Sequence, residues 1–231
     1  MAKVRFCPSF HYIWNMKCRR VYFISGLAAD ERVFKYIRLP EGVEIVHLTW
    51  ITPNKNESLP DYAQRLSKSI DTSEPFALVG LSFGGMLATE IAKQYKPVQT
   101  ILIASIPVSD HLPGYFRTVA VLRLHKIIPV RVVKLMAKTK RFMTSEKSDD
   151  KKLLWKIIDD SDPVFIRWAM DAILKWKNTS IPSPLWHIHG TRDEVLPARF
   201  TKPTHIIAKA GHLLVLTKPA EVNQLLSEAL T

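Results

Sequence analysis

Ser82 has the most distinctive chemical surroundings in the chain. It stands in Gly80-Leu81-Ser82-Phe83-Gly84-Gly85, directly after the apolar run Phe76 to Val79 and directly before the amphipathic stretch Met86 to Tyr95. That order predicts a strand, a tight turn carrying the serine, and a helix. A side chain on such a turn is pushed clear of the sheet on a strained backbone. The residues two before and two after must then lack side chains to avoid collision, which accounts for Gly80 and Gly84. The helix N-terminus behind the serine favours negative charge developing beside it. A serine hydroxyl is a poor nucleophile near neutral pH; it needs a histidine to take its proton and an acid to orient that histidine. The chemistry on offer is acyl transfer, provided both partners come from elsewhere in the chain.

Candidates for both lie downstream. Asp193 sits in His189-Gly190-Thr191-Arg192-Asp193-Glu194-Val195-Leu196-Pro197, after the apolar run Leu185 to Ile188, and His212 sits in Ala210-Gly211-His212, after Thr204 to Ala208. Both fall on loops leaving predicted strands, at the carboxyl edge where Ser82 also emerges and where open α/β sheets bind ligands. Glu194 and Asp110 compete with Asp193 for the role of acid. His205, His189, His187 and His47 compete with His212 for that of base, although His187 and His189 fall within a predicted buried strand and read as packing or supporting residues. No Cys or His cluster has metal-ligand spacing, and the glycines form neither a dinucleotide nor a phosphate-binding fingerprint, so no metal and no cofactor is expected.

These loops must be positioned by an alternation of strands and helices. Strands are predicted at Val21 to Ser25, Glu44 to Leu48, Phe76 to Leu81, Val98 to Ala104, Leu185 to His189 and Thr204 to Ala208. Helices are predicted near Asp30 to Ile37, Pro60 to Ile70, Gly84 to Tyr95 and Pro219 to Leu230. Strands separated by helices imply βαβ units around a mostly parallel, doubly wound sheet, and nearly continuous apolar strands imply that both faces are covered. The rhythm breaks between residues 110 and 180, which read as a helical insertion between two sheet strands, with one or two amphipathic helices broken near Pro129. The core is then 21–109 and 181–231. Residues 1–20 are an extension, either disordered or an edge strand, and the sequence around Met16 suggests that translation truly starts there.

Taken together, the elbow around Ser82 and the chain order serine, acid, histidine resemble the α/β-hydrolase family, over nearly everything from Val21 to the C-terminus. The resemblance implies Ser82 as nucleophile, His212 as general base and then acid, and Asp193 as the carboxylate that fixes the imidazole tautomer. It also implies an oxyanion hole from the backbone N–H of Phe83 and one N–H of the loop after the first predicted strand. Leu27 fills that second place in Ile24-Ser25-Gly26-Leu27, with Gly26 allowing the turn. Where the family often has His-Gly in this loop, the chain has Ser25-Gly26, and the first two strands of larger members are not evident before Val21.

Composition narrows the setting. The 231 residues are 47% hydrophobic, which excludes a disordered chain, and no stretch has the run of about 18 apolar residues of a membrane-spanning helix. Only two cysteines, Cys7 and Cys18, occur, which favours a reducing, cytoplasmic setting over a disulfide framework. The net charge is +12, and residues 111–180 hold 15 basic against 7 acidic side chains. From Arg117 to Arg141 there are eight basic residues and no acidic one. Nucleic acid is a poor partner for this charge, because apolar residues are interleaved with the basic ones and no binding motif appears. As a cap over Ser82, the insertion suggests a small-molecule ester or thioester that is anionic or carrier-bound, or contact with anionic lipid. The activity expected is hydrolysis of a small carboxylic ester or thioester through an acyl-enzyme. The alternatives are lyase-type proton abstraction on the same scaffold and a ligand-binding protein with an unused triad.

Overall fold

The computed structural model of the protein describes residues 18–142 and 148–231; the extension before Cys18, with Cys7 and Met16, lies outside them. Six short strands carry the frame: β1 (Arg20–Ile24), β2 (Glu44–His47), β3 (Phe76–Leu81), β4 (Gln99–Ile103), β5 (Leu185–Gly190) and β6 (His205–Ile207). They pair in the order β2-β1-β3-β4-β5-β6, and every pairing is parallel. The chain steps from β1 outward to β2 and then returns to place β3 on the other side of β1. The sheet thus reverses direction between β1 and β3, the position at which open α/β sheets form a crevice.

Alternation along the strands divides the core in two. Tyr22, Ile24, Leu78 and Leu102 face one way, onto α1 (Leu59–Leu66), α2 (Phe83–Tyr95) and the insertion. Val21, Phe23, Ala77, Val79, Leu81, Ile101 and Ile103 face the other way, onto the C-terminal helices α8 (Leu214–Thr217) and α9 (Pro219–Leu230). Successive side chains of a strand point to opposite faces, so unbroken apolar runs are what a sheet covered on both sides requires.

Between β4 and β5 lie α3 (Gly114–Val121), α4 (Leu124–Ile127), α5 (Val130–Phe142), α6 (Ser148–Asp160) and α7 (Pro163–Lys175), more helices than the periodicity suggested. Pro129 precedes α5, and Asp162 caps α7 by accepting hydrogen bonds from the amides of Val164 and Phe165, so the breaks fall where proline and a capping carboxylate stop one helix and start the next. The helix predicted at Asp30 to Ile37 is only a 3₁₀ turn, Glu31–Phe34, capped by Asp30. Its apolar pair Val33 and Phe34 is too short a stripe for a full α-helix.

Candidate active site

Ser82 sits between β3 and α2 with φ 53° and ψ −118°. A non-glycine residue held at positive φ stores strain, and the surroundings must enforce it. Ser82 N–H donates to the Ile103 carbonyl at 2.9 Å, and the Ser82 carbonyl accepts from Gly85 N–H at 2.9 Å and from the Ser105 hydroxyl at 2.6 Å. Side chains two residues either side would collide with backbone. A Cβ on Gly80 would run into the Gly84 carbonyl and lie 2.5 Å from the Gly85 Cα, and a Cβ on Gly84 would run into the carbonyl oxygens of Ile24 and Ser25.

His212 reaches this serine from the loop after β6. Its Nε2 is 2.9 Å from Ser82 Oγ, and its Nδ1 is 2.9 Å from Asp193 Oδ2. Asp193 is buried, and its other oxygen accepts from the amides of Val195 and Leu196, both at 2.8 Å. Burial by itself would push this carboxyl up. The electrostatic pull of the adjacent His212 and hydrogen bonds from His189, His212 and the Leu196 amide outweigh it and hold the group below the usual carboxylate range. An ionised carboxylate only accepts, so the Nδ1 of His212 carries the proton and its Nε2 faces the serine hydroxyl as an acceptor. The arrangement can therefore take a proton from Ser82 Oγ and return it to a group bound there.

The competing candidates sort by distance. Glu194 does not bond the imidazole; one carboxylate oxygen lies 3.4 Å from the His212 backbone N–H and braces the loop. Asp110 belongs to the 3₁₀ turn Ser109–His111 after β4. His47 stacks on Phe34, and His205 stacks on Trp186.

His187 and His189 do more than fill a strand. The Nε2 of His189 is 3.1 Å from Asp193 Oδ2 and 2.6 Å from the Leu196 carbonyl, while its Nδ1 is 3.2 Å from the Nε2 of His187, which in turn is 2.9 Å from the Ser105 carbonyl. A carbonyl accepts only, so His187 carries its proton on Nε2, and His189, accepting through Nδ1 in this chain, carries its own on Nε2, toward Asp193. Two neutral imidazoles thus connect the acid loop to Ser105, whose hydroxyl holds the Ser82 carbonyl. The signal that could have found them is their spacing: positions 187 and 189 point to one face of β5, the face toward Asp193.

This network has a measurable consequence. Burial, with His189 close by, lowers His187 to about 3, and its Nδ1 has no hydrogen-bond partner among the described residues. The folded state leaves this ring neutral, whereas the unfolded chain protonates it below about pH 6.5. Stability is therefore fully present above pH 6.5 and is lost as pH falls from there toward 3, by about 1.4 kcal/mol per unit for this one group. Burial lowers His47 and His111 as well, in the same direction. Urea unfolding at pH 7 and pH 5 is expected to show a loss of about 2 kcal/mol attributable to His187, reduced in His187→Gln. Equal pH dependence of the two proteins would refute the assignment.

On the other side of Ser82 runs the loop after β1. Ile24 pairs with Gly80, so Ser25 to Leu27 leave the sheet beside the elbow, and a Cβ on Gly26 would stand 3.4 Å from the Cβ of Ser82. The turn itself is not made by Gly26, as the sequence suggested, but by Ala28 at φ 56°. Its shape is held by three hydrogen bonds: Ala29 N–H to the Gly26 carbonyl (3.1 Å), and the Ser25 hydroxyl (3.0 Å) and Trp50 Nε1–H (2.7 Å) to the Ala29 carbonyl. Trp50 is a residue the sequence did not single out. Leu27 N–H and Phe83 N–H, the first amide of α2, have no acceptor among the described residues.

A model of the alpha/beta hydrolase family matches residues 21–225. The chain belongs to that family. Among solved structures it is similar to MenH from S. aureus (TM-score 0.70, 16% identity, 91% of this chain and 93% of that one) and to an esterase, EaEST, from Exiguobacterium antarcticum (0.67, 13%, 93% and 92%). It is also similar to a thermophilic esterase from Thermogutta terrifontis (0.63, 17%, 91% and 88%). At these identities the likeness carries the fold. No curated protein matches the chain in sequence.

Proposed function

We propose that this member of the alpha/beta hydrolase family is a serine hydrolase that cleaves a small carboxylic ester or thioester through an acyl-enzyme. The observation that carries this reading is the line from Ser82 Oγ through His212 to the ionised Asp193, with 2.9 Å at each step. Ser82 Oγ attacks the acyl carbon as its proton passes to His212 Nε2, and Asp193 stabilises the imidazolium. The amides of Leu27 and Phe83 hold the oxyanion. On collapse His212 protonates the leaving alcohol or thiol, which departs, leaving the acyl group on Ser82. Water, deprotonated by His212, then attacks the acyl carbon; the acid is released and Ser82 Oγ recovers its proton. Every donor needed is a residue of the chain.

The space that borders the loop of Ala28 and Ala29 is not lined by Ser82, His212 or Asp193. A cavity of about 200 Å³ opens there, walled by Trp50, Ile51 and Phe165 of α7. Its charged lining is acidic, and each carboxylate is engaged: Asp30 and Asp160 by Arg32, Asp162 by the amides that open α7. Among the described residues no cation lines the cavity. Part of the basic charge of the insertion is engaged within the insertion itself. Lys134 donates to the carbonyls of Asp159 and Ser161, Lys138 pairs with Asp159 and Lys175 with Asp171.

A fluorophosphonate probe and a series of nitrophenyl esters test the reading. Covalent labelling at Ser82 is expected, together with hydrolysis of the esters. Folded protein that takes no label near about pH 8 would overturn it in favour of lyase-type chemistry or an unused triad. Trp50→Phe keeps the aromatic wall but removes the hydrogen bond to Ala29. It is expected to cost about 1 kcal/mol of stability and to lower kcat more than it changes KM, measured by urea unfolding and steady-state kinetics.

A further inference from the structure

The outward face of α3 to α5 is built unlike the rest of the surface. Val121 is 80% exposed, Ile127 73% and Met136 62%, and Leu122, Val132 and Leu135 stand beside them in solvent. On α5 the division is by face. Val130 is buried and Val133, Lys134, Ala137 and Lys138 are partly covered against α6 and α7, whereas Arg131, Val132, Leu135, Met136 and Thr139 point away. Positions separated by three and four residues share a helix face, so Val132, Leu135 and Met136 form one apolar stripe on α5. Exposed Arg123 and Arg131 flank it, and the sequence from 117 to 141 holds no acidic residue.

We propose that this face docks on an anionic lipid bilayer, with the aliphatic side chains seated at the headgroup boundary and the basic residues on lipid phosphates. The composition is that of an interfacial helix: apolar on one face, rimmed by cations, with too little length to span. A second copy of the chain is disfavoured as occupant, because an isologous pairing would bring together two copies of a segment, 117–141, that holds eight basic residues and no acidic one. Docking is separate from the hydrolase reading, since none of these residues touches Ser82, His212 or Asp193.

Flotation of the full chain with vesicles tests it. Binding is expected to be at least about ten-fold stronger to phosphatidylcholine vesicles carrying about 30% phosphatidylglycerol than to pure phosphatidylcholine, and to weaken as salt rises to about 0.5 M. L135S with M136S should lose most of that binding, as should R131E. V164S, which removes an equally exposed aliphatic side chain from α7, should leave it unchanged. These positions are on the surface, so circular dichroism should show all variants folded. Three results would overturn the proposal: no flotation with anionic vesicles, undiminished binding by the Leu135 and Met136 variant, or a wild-type dimer in sedimentation that the same variant dissociates.

Discussion

Ser82→Ala is expected to abolish fluorophosphonate labelling and to lower kcat/KM for ester hydrolysis by about 10⁴- to 10⁶-fold while leaving the folded structure intact. The size follows from what the substitution removes. Without Oγ there is no atom to form the acyl-enzyme, and the proposed oxyanion donors at Leu27 and Phe83 can assist only direct attack by water. Stability should barely change, because among the described residues the Ser82 hydroxyl bonds only His212, while the backbone bonds to Ile103, Gly85 and Ser105 remain. Ser82→Gly makes a useful companion. It loses the nucleophile equally, but at φ 53° it also relieves backbone strain, so it is expected to be more stable than Ser82→Ala by about 1 kcal/mol. Residual activity within about ten-fold of wild type in either variant would contradict the mechanism.

Gly84→Ala is expected to cost about 3 kcal/mol or more. A Cβ there meets the carbonyl oxygens of Ile24 and Ser25, which are backbone atoms at the end of β1 and cannot swing away as a side-chain tip can. Relief requires α2 to move off the sheet, or the loop bearing Leu27 to move off Ser82. The variant should therefore lose activity even under conditions in which it stays folded. Against a total stability of about 5 to 15 kcal/mol for a domain, this is a large fraction. Gly114→Ala is the control, because at the start of α3 nothing lies within 4 Å of the place its methyl group would take. Urea unfolding that gave the same cost at both positions would remove the steric argument.

Much of the scaffold was legible because it depends on neighbours along the chain. Apolar runs of five or six residues between helical stretches announced the parallel sheet, and Gly80, Ser82 and Gly84 announced the elbow; the collision Gly80 avoids is with Gly84 and Gly85 a few positions on, whereas the one Gly84 avoids is with the distant carbonyls of Ile24 and Ser25. The short 3₁₀ turn at Glu31–Phe34 and the number of insertion helices were less legible. Both depend on how much apolar surface the sheet and α7 leave to be covered, which no local window contains. The turn attributed to Gly26 failed for a related reason. Ala28 adopts the left-handed conformation because Ser25 and Trp50 hold the Ala29 carbonyl, and Trp50 is more than twenty residues away.

By itself, then, the sequence determined the strand-elbow-helix unit, the family's chain order of serine, acid and histidine, and the concentration of positive charge in the insertion. Short-range sterics and composition decide these. Only the tertiary structure decided that Asp193, rather than Glu194 or Asp110, bonds His212, and that His189 and His187 extend behind Asp193 as a buried neutral chain. It also decided that part of the insertion's charge, at Lys134, Lys138 and Lys175, is engaged within the insertion itself. Each of these depends on which of several chemically equivalent side chains folding brings within about 3 Å of another, a choice made by packing across distant parts of the chain.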